Sequence, residues 1–427
     1  MARVIVVGAG AMGLAAAYHA VKLGHRVTVL EADHVAGGMA AHFDLDGLDI
    51  ERFYHFVCRA DQATFDLLAE LGLDQVMEWR PTSMGYFYEG QLYPWGDPWS
   101  LLRFPHLGLI AKIRYGLHAF LSMRRRDWLA LDNVRAVDWL RQWVGTEAYD
   151  RVWRKLIELK FHRYTNDVSA AWIWARIKRA GQSRRSIFQE ELGYLRGGSQ
   201  TLVDRLVQRI KENGGEISLG AALRSVTVAG GAVCGVVVGE TEIACDHVIS
   251  TVPLPLIPNL IPDLPAADLA AYRAVRNIGV VCVAHKLKRS LSPHFWININ
   301  DARMDVPGMI EFSNLRDTSP DHVVYVPYYL PQDHPAYAET DAYFVERTQR
   351  YMLLINPTLR NDDFLAAHVG RLRYAQPVCT PGFAHALPPV QSRIAGLQIA
   401  DTSSYYPEDR GISESVRLGK LMAEAVR

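Results

Sequence analysis

The chain has 427 residues, 49% of them apolar and 22% charged, with a formal net charge of zero. This is ordinary globular composition, with material for two or three domains. It excludes a general nucleic-acid surface, which needs a clustered positive field; no basic block exceeds Arg124-Arg125-Arg126.

The five cysteines, Cys58, Cys234, Cys245, Cys282 and Cys379, are odd in number, widely spaced and without a CxxC pair. That pattern suits neither a disulfide framework nor a zinc site. Reduced thiols in a cytoplasmic protein are the expectation. No leader is visible, and no apolar run reaches the roughly 18 residues that a membrane span requires.

In chain order, Arg3–Val7 reads as a short buried strand and Gly8 to Leu23 as an alanine-rich helix entered through glycines. Gly24-His25 stops it, and Arg26–Leu30 is a second strand ending at Glu31. Residues 95–190 differ: they are rich in tryptophan and arginine and poor in glycine, and read as a mostly helical insertion. Gly197-Gly198 then precedes a helix with Leu202, Val203, Leu206, Val207 and Ile210 on one face. Short strands follow, with Gly230-Gly231 as a hairpin turn, and Asp246–Val252 is a further apolar strand. Residues 276–384 are strand-rich. Gly396–Asp401 is a last strand, and residues 411–427 a final helix. The expected domains are therefore 1–80, 190–275 and 385–427 as one nucleotide-binding unit, interrupted by 81–189 (helical) and 276–384 (sheet).

Gly8-Ala9-Gly10-Ala11-Met12-Gly13 is GxGxxG between a strand and a helix. The first glycine allows the turn, the second lets a diphosphate reach the backbone, and the third packs helix on strand. The helix N-terminus offers free N–H groups to phosphate. Glu31 suits ribose hydroxyls, with Ala32 beside it. The pair Gly37-Gly38, followed by Met39, gives the diphosphate a second backbone passage. Gly396–Asp401 and Gly411-Ile412 resemble a late FAD motif, in which Asp401 meets the diphosphate–ribityl region. There the last helix aims its N-terminus at the flavin pyrimidine edge. These features favour FAD over NAD.

With these pieces in place, the chain resembles the flavin amine oxidase, protoporphyrinogen oxidase and phytoene desaturase superfamily, which includes the UDP-galactopyranose mutases. The resemblance rests on the FAD pieces, on Tyr194–Gly198, on Asp246–Pro253 with Thr251, and on Arg373–Pro377. It implies an α/β fold: a discontinuous Rossmann-like FAD-binding domain of the GR2 type with an inserted mixed-sheet and helical substrate domain. It also implies that Leu223 and Val226 lie by the adenine. Met39 replaces the arginine that amine oxidases usually carry after the glycine pair. Cys379 lacks the surroundings of a flavin-linking cysteine, so non-covalent FAD is expected.

The candidate catalytic residues are Arg52, Tyr54 and His55, where the superfamily's chain passes the flavin, and Trp296, Glu311 and Tyr328 on the strand-rich insertion. Arg410, before the last helix, completes the set. His55 suits proton transfer. Lys160–Tyr164 is a polar-aromatic cluster suited to a phosphate or carboxylate. Segment 99–128 is expected to be a helical wall of the substrate domain, ahead of contact with a membrane surface.

The function expected is that of an FAD-dependent oxidoreductase. It takes a hydride from a small organic substrate (amine, alcohol or C–C desaturation), with O₂ or another acceptor reoxidising the flavin. The alternatives are a non-redox UDP-sugar mutase-like flavoenzyme and a flavin-bearing binding protein.

Overall fold

A computed structural model describes residues 1–186 and 188–426. Five strands form a wholly parallel sheet in the order Glu216–Ser218, Arg26–Leu30, Arg3–Val7, His247–Ser250, Leu397–Ile399. They come from distant stretches of chain, so the Rossmann-like unit is discontinuous. Val4, Val6, Val27, Val29, Val248 and Ile249 are all 3% exposed or less. Such continuous apolar runs belong to a sheet covered on both faces. Helices Ala11–Lys22, Gln200–Glu212 and Ile412–Glu424 cover one face. The meander Leu223–Ala229, Ala232–Val238, Thr241–Ala244 covers the other. Its first hairpin turns on Gly230 and Gly231, with φ of +58° and +79°, the left-handed pair that a two-residue turn of this hand needs. The last helix ends at Glu424; residue 427, to which it was expected to run, lies outside the described residues.

A second sheet of seven strands is mixed. Its order is Phe364–Pro377, Asn277–Leu287, His322–Leu330, Gly308–Glu311, Trp296–Asn300, Met84–Tyr88, Gln91–Trp95. The last two strands lie at the start of residues 81–189, an insertion whose greater part is helical. Met84–Tyr88 pairs parallel with Trp296–Asn300 and turns back at Glu89-Gly90, whose φ values are +48° and +83°. An acid-glycine or amide-glycine pair between alternating aromatics is a hairpin signal, and here the tryptophan content masked it. The remainder of the insertion is helical, including Leu109–Arg124, Ala136–Ala148, Arg154–Phe161 and Ala170–Gln182.

The two faces of the mixed sheet do different things. Cys282, Ala284, Tyr325 and Tyr329 face the helical insertion. Val281, Val283, Val326 and Tyr328 face the helix Asp341–Ile355. Successive side chains on a strand alternate faces, so Tyr328 and Tyr329 are separated by a whole sheet.

Segment 99–128 is no simple wall. The helix Leu109–Arg124 buries only Ala111, His118 and Ser122. Leu109, Ile110, Ile113, Leu117, Phe120 and Leu121 point outward, at 39% to 75% exposure. Among the described residues, no helix is long and apolar enough to cross a membrane.

Candidate functional site

The glycine turn is built by close approach. A Cβ on Gly13 would lie 1.9 Å from the Gly8 carbonyl oxygen, and one on Gly8 2.4 Å from Thr251 Oγ1. Thr251 is held there by its hydroxyl, which donates to Val7 O at 2.8 Å. Gly10 is different: a Cβ there would meet nothing within 4 Å. Its side is open. Gly37 closes the second passage, its N–H donating to Ala9 O at 2.8 Å. A Cβ on Gly38 would lie 3.3 Å from Gly10 Cα. Ala11 begins a helix whose N-cap, Gly10, has no side chain to satisfy the first N–H groups. The last helix begins the same way, at Gly411-Ile412. An uncapped helix N-terminus at an open glycine passage fits a diphosphate.

The Glu31 carboxylate accepts the Ala9 N–H at 2.6 Å and the Asp33 N–H at 2.8 Å. It is thereby fixed at the end of its strand with lone pairs left for ribose hydroxyls. Ala32 is exposed, Met39 and Leu223 are part-buried, and Met12 packs into the helix core. Val226 is 3% exposed and packs among Ile5, Val7 and Val236. Asp401 is also turned inward. Its oxygens accept the Leu254 and Ser403 N–H groups at 2.8 and 2.7 Å. Burial pushes its carboxyl up.

The expected catalytic residues divide. Tyr54, His55 and Arg410 lie deep in the protein yet stay only half-buried. That combination suits side chains lining an internal space. Trp296 joins them, its ring edge-on to Tyr54 at 5.7 Å. Tyr329, which the sequence reading missed in favour of its neighbour, closes the group by accepting from Arg410 Nη2 at 3.1 Å. Burial pulls the His55 imidazole below its ordinary value, and its Nδ1 finds no partner among the described residues. Burial also keeps the Tyr54 phenol far above its ordinary value, hence protonated.

Three expected residues are elsewhere. Tyr328 packs edge-on to Phe344 at 5.1 Å, on the far face. Glu311 is 0% exposed and accepts the Leu291 and Ser292 N–H groups at 3.0 and 2.6 Å. Burial raises it to about 7, but it holds a loop and touches no void. Arg52 pairs with Asp33 at 2.5 Å and so ties the Tyr54 segment to the nucleotide loop.

What aims Tyr54 and His55 is Glu51, buried at 2% exposure. Arg316 donates to it at 2.9 Å, His42 lies 3.5 Å away, and Tyr325 donates its hydroxyl to the Glu51 carbonyl at 2.7 Å. The same carboxylate accepts the Ser199 N–H. A Cβ on Gly198 would lie 2.5 Å from its oxygen, which explains the second glycine of Gly197-Gly198.

Cations gather at the same void. Lys160 is 5% exposed, 4.6 Å over the Tyr329 ring and 5.0 Å over Trp172. Arg176 lies 4.2 Å over Trp172 and pairs with Asp409 at 2.8 Å.

The family profile described as Flavin containing amine oxidoreductase matches residues 13–352. The chain belongs to the flavin-containing amine oxidoreductases. FAD is its cofactor, and the glycine passages and uncapped helices above are where this chain's residues fit it. The 15-cis-phytoene desaturase of Narcissus pseudonarcissus is 25% identical over 281 residues, 61% of this chain and 49% of that protein. The putrescine oxidase of Kocuria rosea is 30% identical over 158 residues, 34% of this chain and 32% of that one. The chain spans about half the length of the first of these relatives and about a third of the second. The structure of cyclohexylamine oxidase from Brevibacterium oxydans has the same fold. It superposes with a TM-score of 0.74 at 15% identity, over 99% of this chain and 98% of that one.

Proposed function

We propose that this flavoprotein oxidises a small organic substrate in the void walled by Tyr54, His55, Trp296, Tyr329 and Arg410. The observation that carries this reading is the half-buried His55 beside Tyr54, its imidazole pulled below its ordinary value by burial. FAD, bound without a covalent link, supplies the hydride acceptor. His55 takes the substrate proton; a base that is neutral at working pH is what that step needs. Trp296 and Tyr54 orient the substrate and exclude water. Arg410 is fixed by Ala375 O and Tyr329 Oη and keeps a permanent positive charge there. O₂ or another acceptor takes the electrons onward.

The decisive test is anaerobic bleaching of the flavin near 450 nm across a panel of amines, alcohols and allylic donors. One class is expected to bleach it, and none doing so refutes the reading. Tyr329→Phe is expected to slow bleaching about tenfold through loss of the Arg410 anchor. Tyr328→Phe leaves it unchanged, because that hydroxyl is buried on the far face without a partner among the described residues.

A second observation bears on where the enzyme works. Ten of the seventeen large apolar side chains exposed among the described residues fall between Trp99 and Leu129. Contiguous apolar patches of this kind mark docking faces. Arg103, Lys112 and Arg124–Arg126 fringe it with no carboxylate within 4 Å among the described residues. The proposed place of work is the cytoplasm, with this face on an anionic lipid surface, where each basic residue contributes about 1 kcal/mol. The holoprotein is expected to sediment with phosphatidylglycerol vesicles and not with phosphatidylcholine. Ile110→Glu with Ile113→Glu abolishes this while flavin absorbance is kept. Failure of the wild type to sediment, or dimerisation through this face, rejects it.

A further inference from the structure

Among the described residues, the Lys160 amine makes no hydrogen bond and has no carboxylate within 4 Å, although the residue is only 5% exposed. Its neighbours are known from every side. Arg176 faces it from the helix Ala170–Gln182, Asp409 and Arg410 from the loop before the last helix, and Cys379 from the turn after the long edge strand. The rings of Tyr329 and Trp172 complete the shell. Two guanidinium groups and the Lys160 amine therefore share one carboxylate. Asp409 shows the strain of this balance: against the opposing effect of burial, the surrounding cations hold it down at about 2.

Among the described residues, Arg176 Nη1 is buried and unpartnered, and so is Asp409 Oδ1; with the Lys160 amine, two donors face that one spare acceptor. An unpaired buried charge is costly, and a protein keeps one where something else supplies the counter-charge. The missing partner is an acceptor with negative charge and more than one oxygen, reachable from the void that Tyr329 and Arg410 wall.

We infer that Lys160, Arg176 and Arg410 form an oxyanion site, and that the substrate is a carboxylate or phosphate whose acidic group docks there. This rests on the proposed oxidation in the same void and names its substrate class. It also separates this protein from the diamine that the name of one relative carries. A dication would meet two guanidinium groups and the Lys160 amine and gain only Asp409. The aromatic walls, Trp172, Tyr54 and Trp296, suit a planar or apolar body behind the acid.

Binding also carries a proton signature. Burial, then the nearby Arg176 charge, pulls the Lys160 ammonium well below its ordinary value. A docked anion favours the charged form, so anion binding takes up a proton wherever the free lysine is neutral.

The test uses the FAD-loaded protein and three probes that share one ring: benzoate, phenyl phosphate and benzylamine. Benzoate or phenyl phosphate is expected to perturb the flavin spectrum and bind at least tenfold more tightly than benzylamine. Whichever of the two is tighter identifies the acid. Calorimetry in two buffers of different ionisation enthalpy is expected to show proton uptake. Lys160→Met is expected to weaken the anion at least tenfold, to abolish that uptake, and to keep FAD by its absorbance ratio. Lys160→Arg restores affinity without restoring uptake. Arg176→Met, which leaves Lys160 in place, weakens the anion independently. Tighter benzylamine, or unchanged benzoate affinity in both Met variants, overturns the inference. Loss of FAD in Lys160→Met also overturns it, since the cations would then serve the cofactor. Anion binding needs no turnover, so a flavin that no donor bleaches defeats the oxidation alone.

Discussion

Gly10→Ala is expected to cost this protein its FAD and spare its fold, while Gly13→Ala is expected to cost it both. The two glycines look alike in the sequence and differ in what a methyl group would meet. At Gly13 it would lie 1.9 Å from a backbone oxygen of the same turn. Neither the turn nor the strand behind it can retreat, and such overpacking costs about 3 kcal/mol. At Gly10 the space is empty in the protein alone, so the apoprotein should melt within about 0.5 kcal/mol of wild type. The methyl group instead takes the place of a phosphate oxygen. Losing one charge-assisted backbone hydrogen bond costs about 1.5–3 kcal/mol, or roughly 10- to 100-fold in affinity. Fluorescence titration of each apoprotein with FAD, paired with urea unfolding, separates the two effects. Wild-type affinity in Gly10→Ala would mean that the diphosphate does not pass this residue.

The nucleotide half was legible because its chemistry is local. A turn that must admit a phosphate needs glycines at fixed spacing, and an acid at the end of the next strand needs no distant partner. Gly8, Gly10, Gly13 and Glu31 therefore stood out in the first 31 residues. The parallel sheet followed from continuous apolar runs, which leave few alternatives for strands covered on both faces.

The other half was less legible because it depends on parity and distance. Choosing Tyr328 over Tyr329 is a one-residue slip on a strand, and on a strand that slip changes the face. Nothing local marks the right parity in Tyr-Tyr. The signal lay in the neighbours: Tyr325 is four residues before Tyr329, hence on its face, and shares it with Cys282 and Ala284. Glu311 attracted notice as the one acid in an apolar stretch. Lone buried acids serve loops as readily as substrates, and this one holds Leu291 and Ser292. Asp401 followed its motif in position but spends its carboxylate on the backbone. The Lys160–Tyr164 cluster is suited in sequence to a phosphate or carboxylate, and burial singles out Lys160 within it.

Glu51 was the residue hardest to foresee, because its partners lie 9 residues behind it at His42 and 265 residues ahead at Arg316. Glu51→Ala is expected to destabilise the protein by about 3–5 kcal/mol, the usual result of removing one member of a buried ionic group. It takes the buried carboxylate from Arg316 and His42, leaving Arg316 the Asp49 carbonyl and His42 the Asp49 carboxylate, and loosens the Arg52–Phe56 segment. The His55 side of the void should loosen even where FAD is still bound. The pH dependence separates this from a plain packing loss. Burial alone would raise the Glu51 carboxyl, but the His42 hydrogen bond and Arg316 outweigh it and hold the acid below its ordinary value. Its contribution is therefore present above roughly pH 4.3, the unfolded value, and is lost as pH falls through the lower folded value. His42 has the opposite sign. Burial would lower it, but Glu51 and Asp49 raise it. Its contribution is complete below roughly pH 6.5 and fades as pH rises through the raised value. Wild-type stability from this group should thus be greatest between about pH 4.5 and 6.5. Glu51→Gln keeps the volume and removes the charge. It should flatten both limbs, since the acid is gone and His42 loses its main partner. Urea midpoints for wild type and Glu51→Gln, taken from pH 4 to 8, are the measurement. Parallel curves would place the stabilisation in packing, and a gap widest near pH 5.5 would place it in the charges.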